Sequence, residues 1–122
     1  MYAESDFILA LIKDGDWLSE AAEKVYEENR EELWTSEYAL LELMMVAYRE
    51  DRDVLKTVSA VSQLIELRGD ENSMLAAASH VEENGFTPFD ALHLVKSGDD
   101  TIVSSDGDYD SYSDRLALEE QV

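Results

Sequence analysis

Residues 33–46 read Leu-Trp-Thr-Ser-Glu-Tyr-Ala-Leu-Leu-Glu-Leu-Met-Met-Val, a short apolar segment followed at once by a longer, periodic one. The first three residues have the character of a buried strand. Ser36 comes next, and serine is a preferred helix N-cap residue. From Glu37 to about Arg49 apolar residues recur three and four positions apart, which is the spacing of an amphipathic helix. This stretch therefore predicts a strand that leads directly into a helix.

The same alternation extends in both directions along the chain. Strands are predicted at residues 1–3, 33–35, 64–67 and 101–104, with residues 115–118 as a candidate edge strand. Helices are predicted from Phe7 and after caps at Asp16, Ser36, Asp51 or Asp53, Asp70 and Thr87, with Trp17 and Trp34 in the core. Alternating strands and helices favour crossover units and a parallel sheet covered on both faces. We expect one α/β domain over residues 1–122, a three-layer α/β/α sandwich with a mainly parallel sheet of four to five strands.

The charge of the chain is strongly negative, with 29 acidic residues against 9 basic ones and a net charge of −20. Disordered chains can have such a charge, but 45% of these residues are hydrophobic and they are patterned, which favours a folded domain. At about 1 M salt the Debye length is about 3 Å, so carboxylate repulsion is largely screened. We expect a protein adapted to molar salt, as in a halophilic archaeon. The charge argues against a passive nucleic-acid binder held by electrostatics in ordinary salt.

Several function classes are excluded by what the chain lacks. Cysteine is absent, so there is no disulfide framework, thiolate nucleophile or cysteine-ligated metal site. The apolar runs are far shorter than the roughly 20 residues that a membrane-spanning helix needs. No basic segment followed by an apolar stretch opens the chain, as a secretion signal would. We expect a cytoplasmic protein with no membrane partner.

Two acidic residues lie within apolar helical sequence. Glu42 has apolar neighbours at three and four residues, so its carboxylate is expected to be desolvated unless it is paired. Either it has a metal-binding or catalytic role, or it forms a buried ion pair with Arg49. Asp90 follows Thr87 and Pro88 in the pattern of an N-terminal capping box. The alternative is that the positive end of the helix dipole keeps this carboxylate ionised and directed at a cleft.

The other candidate acids follow predicted strands, and ligands of parallel sheets bind at the carboxyl ends of strands. Asp106 comes directly after residues 101–104, although Asp-Gly is also a common turn. Asp110 is close enough along the chain to join it. Glu4 ends the first predicted strand, and Asp6 either joins it or caps the helix that follows. Three or four carboxylates that converge repel one another unless a cation joins them.

Four acid-bearing segments, in this order, resemble the motifs of PIN domains, including the VapC-type ribonuclease toxins of toxin–antitoxin pairs. The resemblance covers essentially the whole chain. The segments are Tyr2-Ala3-Glu4-Ser5-Asp6-Phe7-Ile8-Leu9, then Thr35-Ser36 followed by Glu42, then Asp90-Ala91-Leu92-His93-Leu94, and finally Ile102-Val103-Ser104-Ser105-Asp106-Gly107-Asp108-Tyr109.

The resemblance implies a metal-dependent endoribonuclease that hydrolyses RNA and leaves a 5′-phosphate. The implied catalytic residues are Glu4, Glu42, Asp90 and Asp106; the implied metal ligands are these four with Asp6 and Asp110; and the implied supporting residues are Ser5, Ser36 and Ser104. Oxygen ligands without cysteine select Mg²⁺ or Mn²⁺. An antitoxin protein and a second copy of the chain are implied partners. For a homodimer the sequence offers apolar side chains that exceed one core's needs: Met44, Met45, Tyr48, Val58 and Val61.

One position departs from the family pattern, because Glu4 stands where the first acid is normally Asp. Its oxygens reach further by roughly one C–C bond, about 1.5 Å. A PIN-like binding or regulatory module with weak or no activity is therefore the alternative function. A receiver-type fold is a more distant alternative, since it needs a lysine after a late strand, and none follows residues 101–104 or 116–118.

We expect the fold to be markedly less stable at about 0.1 M KCl than in molar KCl, because the net charge of −20 is screened only at high salt. Thermal denaturation followed by circular dichroism across this range measures the effect. A melting temperature that is the same at both limits contradicts the prediction.

Overall fold

The structure is a computed structural model that describes residues 1–121. In these residues the helices are α1 Ser5–Ile12, α2 Ser19–Asn29, α3 Glu37–Arg49, α4 Val54–Leu64, α5 Glu71–Asn84 and α6 Pro88–Ser97. The strands are β1 Trp34–Ser36, β2 Glu66–Arg68, β3 Ile102–Ser104 and β4 Arg115–Ala117. Within residues 1–121 no helix has the length and the apolar character needed to cross a membrane.

The strands form two small parallel sheets. In the first, β1 pairs with β2 in the register Trp34 to Glu66, and Tyr2 adds an isolated parallel bridge to Trp34. In the second, β3 pairs with β4 in the register Ile102 to Arg115. The predicted sheet of four to five strands is therefore not seen in the described residues. The strands do pair in parallel, and helices do separate them along the chain, as predicted. Each strand has only three residues, so helix packing carries most of the fold.

The predicted helix ends are mostly confirmed. Ser36, Asp53, Asp70 and Thr87 are N-caps whose side-chain oxygens accept a hydrogen bond from the amide three residues on. Gly85 ends α5 with a φ of +73°, a left-handed conformation that glycine adopts without strain. These ends are predictable because a cap is a local interaction within a single helical turn.

The prediction that Trp17 lies in the core is wrong, because its side chain is 88% exposed. Asp16 does not cap a helix that includes Trp17. Its carboxylate instead accepts a hydrogen bond from Leu18 N at 2.8 Å in a turn, and α2 begins only at Ser19. Trp17 therefore belongs to the turn and not to the buried face of the helix. Trp34 is half-buried, and the Arg68 guanidinium lies 4.4 Å from the centre of its ring.

The core is formed mainly by helix packing, in which α3, α4, α5 and α6 are the largest contributors. Met44, Val58 and Val61 are fully buried in it, so these three cannot form a second surface for a partner copy. Of the side chains proposed as surplus, Tyr48 is exposed and Met45 is half-buried. The supply of apolar surface for a dimer is therefore smaller than the sequence suggests.

Thr35 connects this core to the chain's N-terminal segment. Its side chain is completely buried, and Thr35 Oγ1 donates a hydrogen bond to the Ala3 carbonyl at 2.8 Å. The backbone adds Ala3 N to the Trp34 carbonyl at 2.8 Å. Together these bonds fix the position of Ala3, and therefore the backbone of Glu4, relative to the start of α3.

We expect Thr35→Val to lower the free energy of unfolding by about 1–3 kcal/mol, because it leaves a buried carbonyl without this donor while nearly conserving side-chain volume. Urea denaturation measures the change. The matched control is Thr57→Val, since Thr57 Oγ1 donates to the Asp53 carbonyl within α4 in an exposed setting. There we expect a change within about 0.5 kcal/mol. Equal effects of the two substitutions contradict the assignment of Thr35.

Candidate functional site

Glu42 and Ser5 form the first group of candidate site residues. Ser5 is buried at the start of α1, and its Oγ donates to Glu42 Oε2 at 3.2 Å. The predicted desolvation of Glu42 is wrong, because Glu42 is exposed on the same stripe of α3 as Tyr38. Arg49 is exposed too, and no ion pair joins it to Glu42 among residues 1–121. A continuous apolar sequence misleads here because the buried face takes only one side of the helix.

The N-terminal acids lie where the extended segment becomes α1. Glu4 occupies the N-cap position, is exposed and makes no side-chain capping bond. Asp6 is also exposed, and its Oδ1 accepts a hydrogen bond from Phe7 N at 2.7 Å. The prediction that this helix begins at Phe7, with Asp6 as its possible cap, is wrong, because α1 begins at Ser5 and Asp6 lies in its first turn. The Glu4 carboxylate is accessible to solvent and to a ligand.

The Asp90 carboxylate lies in the first turn of α6 and contacts a residue from another segment. Thr87 Oγ1 accepts the Asp90 backbone N–H at 3.4 Å, so the hydroxyl half of the capping box is formed. The reciprocal half is absent from the described residues, because Asp90 Oδ1 instead accepts a hydrogen bond from the Tyr109 hydroxyl at 3.3 Å. Capping by Thr87 therefore leaves the Asp90 carboxylate for a different role.

Tyr109 is the residue that sequence reasoning missed. It is only 4% exposed and stacks on Phe86 with ring centres 5.9 Å apart. Burial, and then the nearby carboxylate of Asp90, raise the pKa of Tyr109 to about 12, with smaller contributions from Asp106 and Asp108. The phenol therefore stays protonated at neutral pH and remains a donor to Asp90. The aromatic residue that ends the fourth motif was the available signal.

Asp106 is held by a tight turn after β3. Its backbone N–H donates to Ser104 Oγ at 3.0 Å, and its Oδ1 accepts from Asp108 N at 2.9 Å. The side chain is half-buried and is one of the charges that act on the Tyr109 hydroxyl. The turn interpretation of Asp-Gly is thus confirmed, and it brings Asp106 near the same tyrosine as Asp90.

Asp110 does not face this group. Arg115 Nε donates to Asp110 Oδ1 at 2.6 Å and Arg115 Nη2 to Asp110 Oδ2 at 3.2 Å, so both carboxylate oxygens are engaged. The sequence had suggested that Asp110 joins Asp106 as a ligand. The arginine that engages it lies five residues later, in a strand for which no role had been assigned.

Arg115 ties together the segments around the end of β3. Besides Asp110, its Nη1 and Nη2 donate to Glu119 at 3.0 and 3.1 Å, and its Nη1 donates to the Ser104 carbonyl at 2.7 Å. The side chain is only 8% exposed. This paired guanidinium lowers the pKa of both Asp110 and Glu119. Arg115 thereby holds the strand end from which the turn at Asp106 begins.

The supporting serines have distinct partners. Ser36 Oγ caps α3 and also lies 2.8 Å from the Tyr2 hydroxyl. Ser104 Oγ accepts from the Asp106 amide, and Ser5 donates to Glu42, as described above. Of the three serines expected to support the acids, Ser5 therefore contacts a carboxylate, whereas Ser104 contacts only the backbone amide of an acid.

The candidate acids form two groups and not one. Asp90 and Asp106 lie around Tyr109, whereas Glu42 is held by Ser5. Within residues 1–121 no three or more His, Cys, Asp or Glu side chains are arranged to hold a metal ion. The donors themselves fit a hard cation in chemistry: Glu4, Glu42, Asp90 and Asp106 offer only oxygen, and no lysine or arginine of the described chain pairs with them.

In a comparison with protein families, the model of the PIN domain family matches residues 1–114. Neither the comparison with curated proteins nor that with solved structures gives a match.

We expect Arg115→Met to lower the melting temperature at pH 7 and to flatten its dependence on acid pH. Asp110 and Glu119 have depressed pKa values in the folded state, so their contribution to stability is present above their unfolded pKa and is lost as pH falls through the folded pKa. Without Arg115 this contribution is missing at neutral pH, and the variant and parent converge in acid. Thermal melts from pH 7 to pH 3 measure the difference.

The control is Arg49→Met, which makes the same change in net charge at an exposed arginine with no carboxylate within 4.0 Å in the described chain. If both variants shift the melting curve equally at every pH, net charge and not the Arg115 pairs explains the result.

Proposed function

The chain belongs to the PIN domain family, and on that premise we propose that it is a metal-dependent endoribonuclease that hydrolyses RNA phosphodiester bonds. PIN domains are typically metal-dependent nucleases. The observation that carries the proposal is the Tyr109–Asp90 hydrogen bond of 3.3 Å, which directs an acid of the third motif to the turn of the fourth. Capping alone does not require that contact, because Thr87 already supplies the cap.

We propose that Glu4, Glu42, Asp90 and Asp106 are the catalytic carboxylates and hold Mg²⁺ or Mn²⁺, with Asp6 adjacent. Their oxygen-only chemistry supports this choice of ion. When bound, such an ion lowers the pKa of a water molecule and neutralises charge on the scissile phosphate. Asp110 is left out of the ligand set, because both of its oxygens are bonded to Arg115.

The chain's own contribution is to hold three of these carboxylates in position by hydrogen bonds from neutral donors. Tyr109 donates to Asp90, Ser5 donates to Glu42, and the Asp108 amide donates to Asp106. Hydrogen bonds that orient a ligand leave its second oxygen for the ion, whereas a salt bridge to lysine or arginine would compete for both. Arg115 acts one step further out, as the residue that holds the carbonyl of Ser104.

The proposed function also implies a substrate, partner molecules and a location. RNA is the proposed substrate, and the PIN domain assignment supports a nucleic acid in this role. On the resemblance and on composition we also propose a cytoplasmic location, a homodimer and a toxin role with an antitoxin protein. For the dimer, exposed Tyr48 and half-buried Met45 are the remaining apolar contributors on α3.

We expect Asp90→Asn to abolish Mg²⁺- or Mn²⁺-dependent cleavage of single-stranded RNA. In metal-free buffer its melting temperature should be unchanged or raised. The amide keeps an acceptor for the Tyr109 hydroxyl but removes the charge, which relieves repulsion from Asp106. Gel analysis of a labelled RNA and Mn²⁺ titration by electron paramagnetic resonance give separate readouts of cleavage and ion binding.

The control is Asp99→Asn, which changes an exposed acid just beyond the C-terminal end of α6. This variant should cleave RNA as fast as the parent. If Asp90→Asn cleaves as fast as the parent, the proposed site is wrong. If the parent neither cleaves RNA nor binds Mn²⁺, the weak or inactive binding module, which Glu4 suggests, replaces the proposal.

A further inference from the structure

Resting on the proposed function, we propose that the chain binds single-stranded RNA through its bases, stacked on exposed aromatic side chains beside the acids, with Tyr112 as the main platform. The substrate class is then a strand whose bases are unpaired and accessible. Contacts between phosphates and lysine or arginine side chains contribute little to this binding.

The first support is the placement of the exposed aromatic residues. Four of them lie next to candidate acids: Tyr2 is two residues from Glu4, Tyr38 is one turn before Glu42, Phe89 is adjacent to Asp90, and Tyr112 shares a cavity with Asp90. Large aromatic side chains usually bury most of their surface. Among the described residues, four of the six exposed aromatic side chains therefore lie next to acids of the two candidate groups, which indicates a ligand with flat, apolar faces.

The second support is the cavity at Tyr112. Its volume is about 270 Å³, which suits a single ring system better than a larger ligand. It is lined by Asn84, Gly85, Phe86, Thr87, Asp90, Asp108 and Tyr112. A base in this cavity would lie next to Asp90, so the adjoining phosphodiester would be near the carboxylate proposed to hold the ion.

The Tyr112 ring is positioned by other aromatic rings while much of it stays accessible. Phe86 packs against it edge-to-face with ring centres 5.3 Å apart, and His80 does so at 5.9 Å. The side chain nevertheless remains 46% exposed. A ring held on one side and open on the other loses little conformational entropy when a base stacks on it.

The third support is the distribution of positive charge. No lysine or arginine lines the Tyr112 cavity. By contrast, Arg52 and Lys56 line a separate cavity with Glu50, which Lys13 also contacts, and no candidate acid lines that cavity. The Tyr112 cavity thus offers no lysine or arginine contact for a phosphate. Base stacking does not depend on such a track and is tolerant of base identity.

The experiment measures fluorescence anisotropy of a labelled, unstructured RNA octamer with the full chain, in Ca²⁺ and from 0.3 to about 2 M KCl. We expect the parent's affinity to vary little with salt, in contrast to the steep loss of a phosphate-held complex. We expect Tyr112→Ala to weaken binding about tenfold, as loss of one stacked base would. Tyr112→Phe, which keeps the ring, should bind like the parent. The control Trp17→Ala removes an aromatic side chain that is 88% exposed in the turn before α2, where no candidate acid lies, and it should leave binding unchanged.

Tyr112→Leu keeps apolar packing against Phe86 and removes the aromatic face, so it replaces Tyr112→Ala if the latter does not fold. In cleavage assays either variant should raise KM about tenfold with kcat unchanged. A perfectly paired duplex of the same sequence should bind more weakly than the single strand.

Equal affinities of parent and Tyr112→Leu, or a steep loss of affinity with salt, overturn the inference. A different result would contradict the proposed function and leave this inference standing. In that result RNA binding requires Tyr112, but the RNA is not cleaved with any divalent ion. If the parent and the Tyr112 variants cleave RNA with the same KM, the proposed function stands and this inference is wrong.

Discussion

A shortage of positive charge is the constraint on which the rest of this structure depends. The chain has 9 lysine and arginine residues and 29 aspartate and glutamate residues, so most acids cannot each have a cationic partner. Arg115 shows how a scarce cation is used: one buried guanidinium bonds to Asp110, Glu119 and the Ser104 carbonyl together. Such bidentate pairs combine charge with geometry, which a lysine in the same place could not do. The interaction stabilises the second small sheet just before the turn that carries Asp106.

Three of the candidate acids are held by neutral donors, which fits this shortage of positive charge. A phenol donates to Asp90, a serine hydroxyl to Glu42 and a backbone amide to Asp106. Neutral donors orient a carboxylate without cancelling its charge, so its affinity for a cation is retained. The same reasoning applies to the proposed substrate contacts. Where cations are few, aromatic faces are the remaining means of holding a single strand, and the ring of Tyr112 lines the same cavity as Asp90.

The parts of the fold that were predictable from sequence are those decided within one turn of chain. The caps at Ser36, Asp53, Asp70 and Thr87 and the stop at Gly85 are of this kind. Trp17 was wrongly assigned because hydrophobicity alone does not place a residue inside a helix when a preceding turn delays its start. The sheet was overestimated for a related reason: apolar segments indicate strands, but whether the strands join into a single sheet depends on pairings between segments far apart in sequence.

For the site, the sequence by itself determined which acids stand out, because strand ends, apolar helix sequence and the order of four motifs are all local features. Only the tertiary structure decided what each acid contacts. Asp90 meets Tyr109 across 19 residues and Glu42 meets Ser5 across 37, while Asp110 is taken by Arg115. Glu42 also proved exposed, since the face of α3 that is buried depends on where the neighbouring helices pack. Periodicity along a chain limits which residues can share a face, but the choice of face and partner is made by packing between distant segments.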